Sequence, residues 1–230
     1  MSVRPRESRV SLVIPAAGRG TRFGGPVAKQ FLLLKGRAVL LRSLDAFSGL
    51  VDEAVLAISD DAHDDITALL ATADLPFPVR VTTGGATRQE SVHAGLLASD
   101  PTCELVLVHD AVRPLVPRTC VSACIAALAD HVAAVVALPC AATVKRARAD
   151  LTVDATVPRD DLWLAQTPQG LRRSEALAAF ARAKSESWSC SDDVQVMERA
   201  GHRVALVMGD ARNLKLTTPD DWAVAEALLK

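Results

Sequence analysis

A chain of 230 residues, half of them hydrophobic, is long enough for one compact domain with a large core. Its net charge of -1 argues against the broad basic face of a general nucleic-acid binder, and no apolar stretch reaches the roughly 18 to 20 residues that cross a bilayer. Cys103, Cys120, Cys124, Cys140 and Cys190 form no C-x-x-C pair, so reduced thiols in a cytoplasmic protein are expected, without a disulfide framework or a zinc site.

The N-terminus carries Arg4, Arg6 and Arg9 but also Glu7, and the apolar run behind it is too short for a secretory signal. Short apolar runs then alternate with helical patterns. Strands are predicted over residues 11–15, 54–58, 79–82, 105–108, 134–138 and 204–207. Helices are predicted over 38–47, 62–73, 88–99, 118–131, 174–184, 192–200 and 219–229. This alternation predicts an α/β fold, a Rossmann-like three-layer sandwich whose mostly parallel sheet is covered on both faces. Thr87 with Glu90 reads as a capping box. Pro219 behind Thr218, with Asp220 and Asp221, suits a helix start, and Gly201 suits a helix end. Residues 141–159 break the rhythm and read as a hairpin of mixed polarity around Ala149-Asp150. Such a hairpin is either a plain surface feature or needs a partner surface. No repeat or linker divides the chain, so residues 1–230 are read as a single domain.

The most informative stretch follows the first strand. Gly18, Gly20, Gly24 and Gly25 share a loop with Arg19 and Arg22, and Lys29 lies just beyond. Glycines let backbone N–H groups approach anionic oxygens, and the cations add charge. Between Glu7 and Asp45 there is no acidic residue at all, while Arg9, Arg19, Arg22, Lys29, Lys35, Arg37 and Arg42 all fall there. A glycine-rich turn with solvated charges is the plain alternative; the local asymmetry favours a polyphosphate site. A dinucleotide fingerprint does not fit, because Phe23 takes the third glycine position and Asp45 comes too late. A Walker loop fails for want of Gly-Lys-Ser/Thr.

The run Pro15-Ala-Ala-Gly-x-Gly-x-Arg22 with Lys29-Gln30 resembles the nucleotide loop of sugar and polyol nucleotidyltransferases. Four more segments narrow the resemblance: Gly84-Gly85-x-x-Arg88-x-x-Ser91-Val92, His109-Asp110-Ala111-Val112-Arg113-Pro114, Thr167-Pro168-Gln169, and Asn213-x-Lys215-x-Thr217-x-Pro219. Together they resemble the 2-C-methyl-D-erythritol 4-phosphate cytidylyltransferase family of the non-mevalonate isoprenoid pathway. Ala86 and Thr87 stand where that family often has acidic residues, and Val112 where it has alanine.

The resemblance implies in-line attack of a polyol phosphate on the α-phosphorus of CTP, with Mg2+ or another divalent cation as cofactor. It implies that Arg22, Lys29 and Lys215 are catalytic and face the triphosphate. Pro15, Ala16, Ala17, Gly18, Gly20, Gly84, Gly85 and Ser91 would hold the nucleotide. Asp110, Arg113, Thr143, Arg159 and Thr167 would hold the acceptor, with Asp110 also a candidate metal ligand, directly or through water. The 141–159 hairpin would be an arm that builds a homodimer and completes the neighbour's site. His109 is expected to be structural. Asp192 and Asp193 could hold a metal, but acids capping a helix that starts at Ser191 explain them more simply. No fused cyclase domain is expected. A ribitol 5-phosphate cytidylyltransferase and a catalytically silent nucleotide-binding protein are the two alternatives.

Overall fold

Uninterrupted apolar runs rich in Val, Leu and Ala become strands buried on both faces, as a parallel sheet requires. The computed structural model describes residues 8–18 and 29–229, with only the backbone of Lys29. In chain order the elements are β1 (Val10–Pro15), β2 (Leu33–Leu34), β3 (Arg37–Ala38), α1 (Val39–Asp45), β4 (Glu53–Ile58), α2 (His63–Ala71), β5 (Val79–Thr83), α3 (Arg88–Ala98), β6 (Leu105–Val108) and α4 (Arg118–Ala127). There follow β7 (Ala133–Pro139), β8 (Val144–Ala147), β9 (Val153–Val157), β10 (Trp163–Arg172), α5 (Arg173–Ser185), α6 (Asp193–Arg199), β11 (Val204–Met208) and α7 (Pro219–Leu228).

Seven strands form the central sheet in the order β11-β7-β10-β6-β1-β4-β5. All neighbours pair in parallel except β10, which runs antiparallel to both β6 and β7. On one face α1, α2 and α4 bury Leu12, Leu40, Phe47, Leu56, Ile66 and Val121. On the other, α3, α5 and α6 bury Val13, Val55, Val92, Leu96, Phe180 and Met197. The predicted three-layer α/β sandwich is therefore present. Strand order reverses at β1, where the chain steps outward to β4 and β5 and then back to β6. Ligands of such sheets collect beyond the carboxyl ends at this point.

Several local expectations hold. Thr87 and Glu90 form a capping box at α3, and Thr218 and Asp221 another at α7 with Pro219 in its first turn. Gly201 ends α6, following its C-cap Ala200 with φ of 97°. The 141–159 hairpin is present as β8 and β9, a two-stranded sheet of its own.

Two elements were not anticipated. The β2–β3 hairpin turns on Lys35 and Gly36, with φ of 44° and 76°, the pairing of positive values that a tight two-residue hairpin turn requires. Strand β10 holds Gln166, Thr167, Pro168 and Gln169 at its centre, in a stretch where the sequence predicts no strand. Its pairing with β7 shifts between Ala165 and Gln169, around a proline that has no N–H to give and a cis Thr167–Pro168 bond. Its buried polar side chains are satisfied by distant partners instead.

Candidate active site

The crevice is assembled at the carboxyl ends of β1, β4, β5 and β6. Ala16 donates its N–H to Ala57 (2.7 Å), and Gly84 donates to Ile58 (2.6 Å), so both loops leave the sheet under tight control. The side-chain amide of Gln30 donates to the Ala16 carbonyl (3.2 Å). Ser91 Oγ accepts from Gly85 N–H (3.1 Å) and donates to the Thr87 carbonyl (2.9 Å), folding the glycine pair over the start of α3. No side chain fits at these glycines. A Cβ on Gly84 would lie 2.8 Å from Ser91 Oγ, and one on Gly85 would lie 2.2 Å from the Glu90 Cβ. Pro15, Ala17, Gly18, Gly85, Ser91 and Lys215 are among the residues enclosing the resulting cavity of about 280 Å³.

Asp110 stands at the inner edge of that cavity, just past the end of β6, and is nearly fully buried. Three cations surround its carboxylate: Lys215 Nζ at 3.0 Å, Arg113 Nε at 3.2 Å and Arg88 Nε at 3.5 Å. Burial by itself raises a carboxyl, yet Arg88, Lys215 and Arg113 outweigh it and hold Asp110 well below the usual carboxylate range. Lys215 arrives from the segment between β11 and α7, which Leu216 anchors by donating its N–H to the Val112 carbonyl (2.9 Å). Arg113 also donates to the Asn213 carbonyl (2.7 Å), tying the same segment to the Asp110 loop.

A second cavity of about 270 Å³ adjoins the first and shares Arg88, Asp110 and Lys215 with it. Arg113, Gln166, Thr167, Gln169 and Asp192 complete its lining. Thr167 Oγ1 accepts from the Asp110 N–H (3.1 Å) and lies 2.9 Å from His109 Nδ1. His109 Nε2 faces the Arg113 carbonyl at 3.1 Å. One proton arrangement satisfies all of these: Nε2 carries the hydrogen, and the Thr167 hydroxyl donates to Nδ1. Burial pushes His109 down to about 4, so the ring is neutral. His109 is structural, as expected.

Of the residues expected at the site, Pro15, Ala16, Ala17, Gly18, Gly85, Ser91, Asp110, Arg113, Thr167 and Lys215 line one or both cavities, and Gly84 supports the first. Gly20, Arg22 and the Lys29 side chain lie outside the described residues. Thr143 and Arg159 are exposed beside the β8–β9 hairpin and line neither cavity; Arg159 donates to the Ala141 carbonyl across its base.

The expectation for the two acids needs correction. Asp192 does cap α6, accepting from Gln195 N–H (3.0 Å). Asp193 does not cap; it is buried and grips Arg88 with both oxygens at 2.8 Å. Arg88 and Asp193 are the charged pair that sequence reasoning missed. Arg88 lay inside a motif already noticed, but its partner is 105 residues away.

The metal expectation meets a poor donor set. Both Asp110 oxygens already face cations, and no cluster of three or more His, Cys, Asp or Glu is present among the described residues. Asp110 does not fit the role of a direct metal ligand. A larger groove of about 480 Å³ lies at the opposite end of the sheet. It is away from the strand carboxyl ends, and its Arg172 is occupied by the carbonyls of Leu128 and Ala129.

A parallel sheet with a glycine-lined cradle at its switch point, opening onto a carboxylate ringed by cations, defines an α/β protein that handles phosphorylated ligands. The chain belongs to the 2-C-methyl-D-erythritol 4-phosphate cytidylyltransferase family, whose sequence model matches residues 10–230. A family enzyme of that name from Deinococcus radiodurans is 45% identical over 223 residues, covering 96% of this chain and 89% of its own. One from Symbiobacterium thermophilum is 43% identical, covering 96% and 93%. The crystal structure of 4-diphosphocytidyl-2C-methyl-D-erythritol synthase from Anaerococcus prevotii superposes with a TM-score of 0.84 at 33% identity, covering 97% of this chain and 99% of that one. The Thermus thermophilus cytidylyltransferase gives 0.79 at 36%, covering 96% and 98%.

Proposed function

We propose that this chain transfers the cytidylyl group of CTP to 2-C-methyl-D-erythritol 4-phosphate, forming 4-diphosphocytidyl-2-C-methyl-D-erythritol and pyrophosphate. Family membership supports the reaction, and one observation carries its geometry: two adjoining cavities meet at Asp110 and Lys215. In this reading the nucleotide occupies the glycine side and the acceptor the Thr167 side. An acceptor phosphate oxygen bonds to the α-phosphorus as the bond to the bridging oxygen breaks, and that electron pair leaves with pyrophosphate. The acceptor phosphate is ionised at neutral pH, so no general base is needed. His109, neutral and bonded through both nitrogens, is not asked to serve as one. Catalysis then rests on alignment and on neutralising charge that shifts in the transition state.

Arg22, Lys29 and Lys215 face the triphosphate in this proposal. Gly18 and Gly20 belong to the phosphate loop of the nucleotide site, and Pro15, Ala16, Ala17, Gly84, Gly85 and Ser91 hold base and ribose, largely through backbone groups. Asp110, Arg113 and Thr167 orient the acceptor. A divalent cation enters as part of the nucleotide substrate, carried on its phosphates, and any contact Asp110 makes with it runs through water. We further infer a homodimer in which the 141–159 arm brings Thr143 and Arg159 to the site of a second copy. The exposed position of both residues, outside their own chain's cavities, supports that reading. No helix among the described residues is long and apolar enough to cross a membrane, and residence in the cytoplasm is the accompanying expectation.

The test is pyrophosphate release with CTP and magnesium, comparing methylerythritol 4-phosphate with ribitol 5-phosphate. Preferential turnover of the first is expected. Preference for the second would transfer the protein to polyol-phosphate metabolism, and no turnover with either would leave only nucleotide binding.

A further inference from the structure

The charges around Asp110 do not end at the cavity wall. Arg88 is two-thirds covered, and its two terminal nitrogens each meet one oxygen of Asp193 at 2.8 Å. A bidentate pair of this kind fixes the guanidinium plane as well as its position. The remaining Nε faces Asp110 Oδ1 at 3.5 Å, while Lys215 and Arg113 share Oδ2. Asp193 is 1% exposed and is itself clamped from β10. Gln169 Oε1 accepts from the N–H groups of Asp193 and Val194, both at 3.0 Å, and Gln169 Nε2 donates to Asp192 Oδ2 at 3.0 Å.

We propose that Asp193 is a positioning residue for cytidylyl transfer, holding Arg88 so that Asp110 and Lys215 stay aligned where the two cavities meet. It touches neither cavity. Asp110, Asp193 and the three cations make this cluster, and Asp192 on the same cavity wall adds a third carboxylate. Without the Asp193 charge, Arg88 turns its terminal nitrogens onto Asp110 and competes with Lys215 for it. Lys215 then loses its fixed place beside the attacked phosphorus. The role rests on the proposed reaction, since alignment has no meaning without it.

Asp193→Asn keeps the size of the side chain and removes its charge. Turnover per folded molecule is expected to fall by about 30-fold or more, while the KM for CTP changes by less than about threefold, because an interaction that acts in the transition state lowers kcat preferentially. Folded fraction is measured by near-ultraviolet circular dichroism at the assay temperature, so loss of fold is counted separately. Arg88→Lys keeps a cation for Asp193 but cannot reach both carboxylates with a planar fork, and it should lose turnover to a similar degree. Combining the two should cost no more than about threefold beyond the worse single variant, the signature of residues acting through one contact.

Either single variant turning over within twofold of wild type, while folded, would overturn the role. Losses that multiply in the double variant would overturn it too. If Asp193→Asn does not fold, Arg88→Lys decides alone. Absence of wild-type turnover would overturn the proposed function and this role with it, whereas an active wild type with unaffected variants would overturn this role alone.

Discussion

His109 has no freedom to change its charge cheaply. It is fully buried, packed edge-on against Phe47 with ring centroids 4.9 Å apart, and bonded at both nitrogens. Its folded value of about 4 lies below the 6.5 of an exposed histidine. Between those values the unfolded chain binds a proton that the folded chain refuses. Stability is therefore whole above about pH 6.5 and is lost as pH falls toward 4, by on the order of 3 kcal/mol from this group. Asp110, held below the usual carboxylate range, acts in the same sense but only at still lower pH. Urea midpoints followed from pH 7.5 to 4.5 should fall in the wild type and fall much less in His109→Gln. Equal slopes would mean that another group titrates there. At this scale the motifs made Asp110, Ser91, Thr167 and Lys215 legible, because each sits in a short run with its own composition. Arg88 was visible only as a motif letter. A residue whose function depends on a partner across the fold has no local sign of it.

Helix α3 carries both cavities' shared arginine, and its seat is unusually close. Gly95 lies over β1 so tightly that a Cβ there would meet Val13 Cγ1 at 2.4 Å. Val13 is buried and flanked by paired strands, so it cannot give way. Gly95→Ala should destabilise the fold by about 1 to 3 kcal/mol, the usual cost of overpacking, and raise the KM for CTP because Thr87, Arg88 and Ser91 move with the helix. Denaturant titration and initial-rate kinetics together check this; an unchanged midpoint would show that the helix shifts freely. The start of α3 was readable because Thr87 and Glu90 state a cap within four residues. Strand β10 was unreadable for the opposite reason. Its buried Gln166, Thr167 and Gln169 find Asn213, His109 and Asp192 only after folding, so no periodicity marks it.

Over the whole molecule, the alternation of apolar runs and helical patterns was enough to foresee the layered sheet, since burial on both faces leaves a compositional trace in central parallel strands such as β1, β4 and β6. The strand order and the inserted antiparallel β10 left none. If the arm serves a second copy, Arg159→Ala should raise the acceptor KM at least tenfold with CTP binding largely intact. Mixing it with a variant defective only in its own cavity, such as Lys215→Ala, should restore part of the activity. An unchanged acceptor KM would remove Arg159 from the site.

The arm's attachment has one more implication. It leaves the sheet from β7 and returns through β10, neighbouring strands that pair Pro139 with Trp163 where the excursion begins. Its two legs are therefore anchored about one strand spacing, ~4.8 Å, apart, however long the excursion between them. Residues can be added to or trimmed from its tip without disturbing the register of any sheet strand or the glycine cradle on the other side of β6. The fold thus separates the glycine cradle from an excursion whose tip can change in length, while Thr143 and Arg159, the acceptor contacts of the proposed dimer, stay at its base.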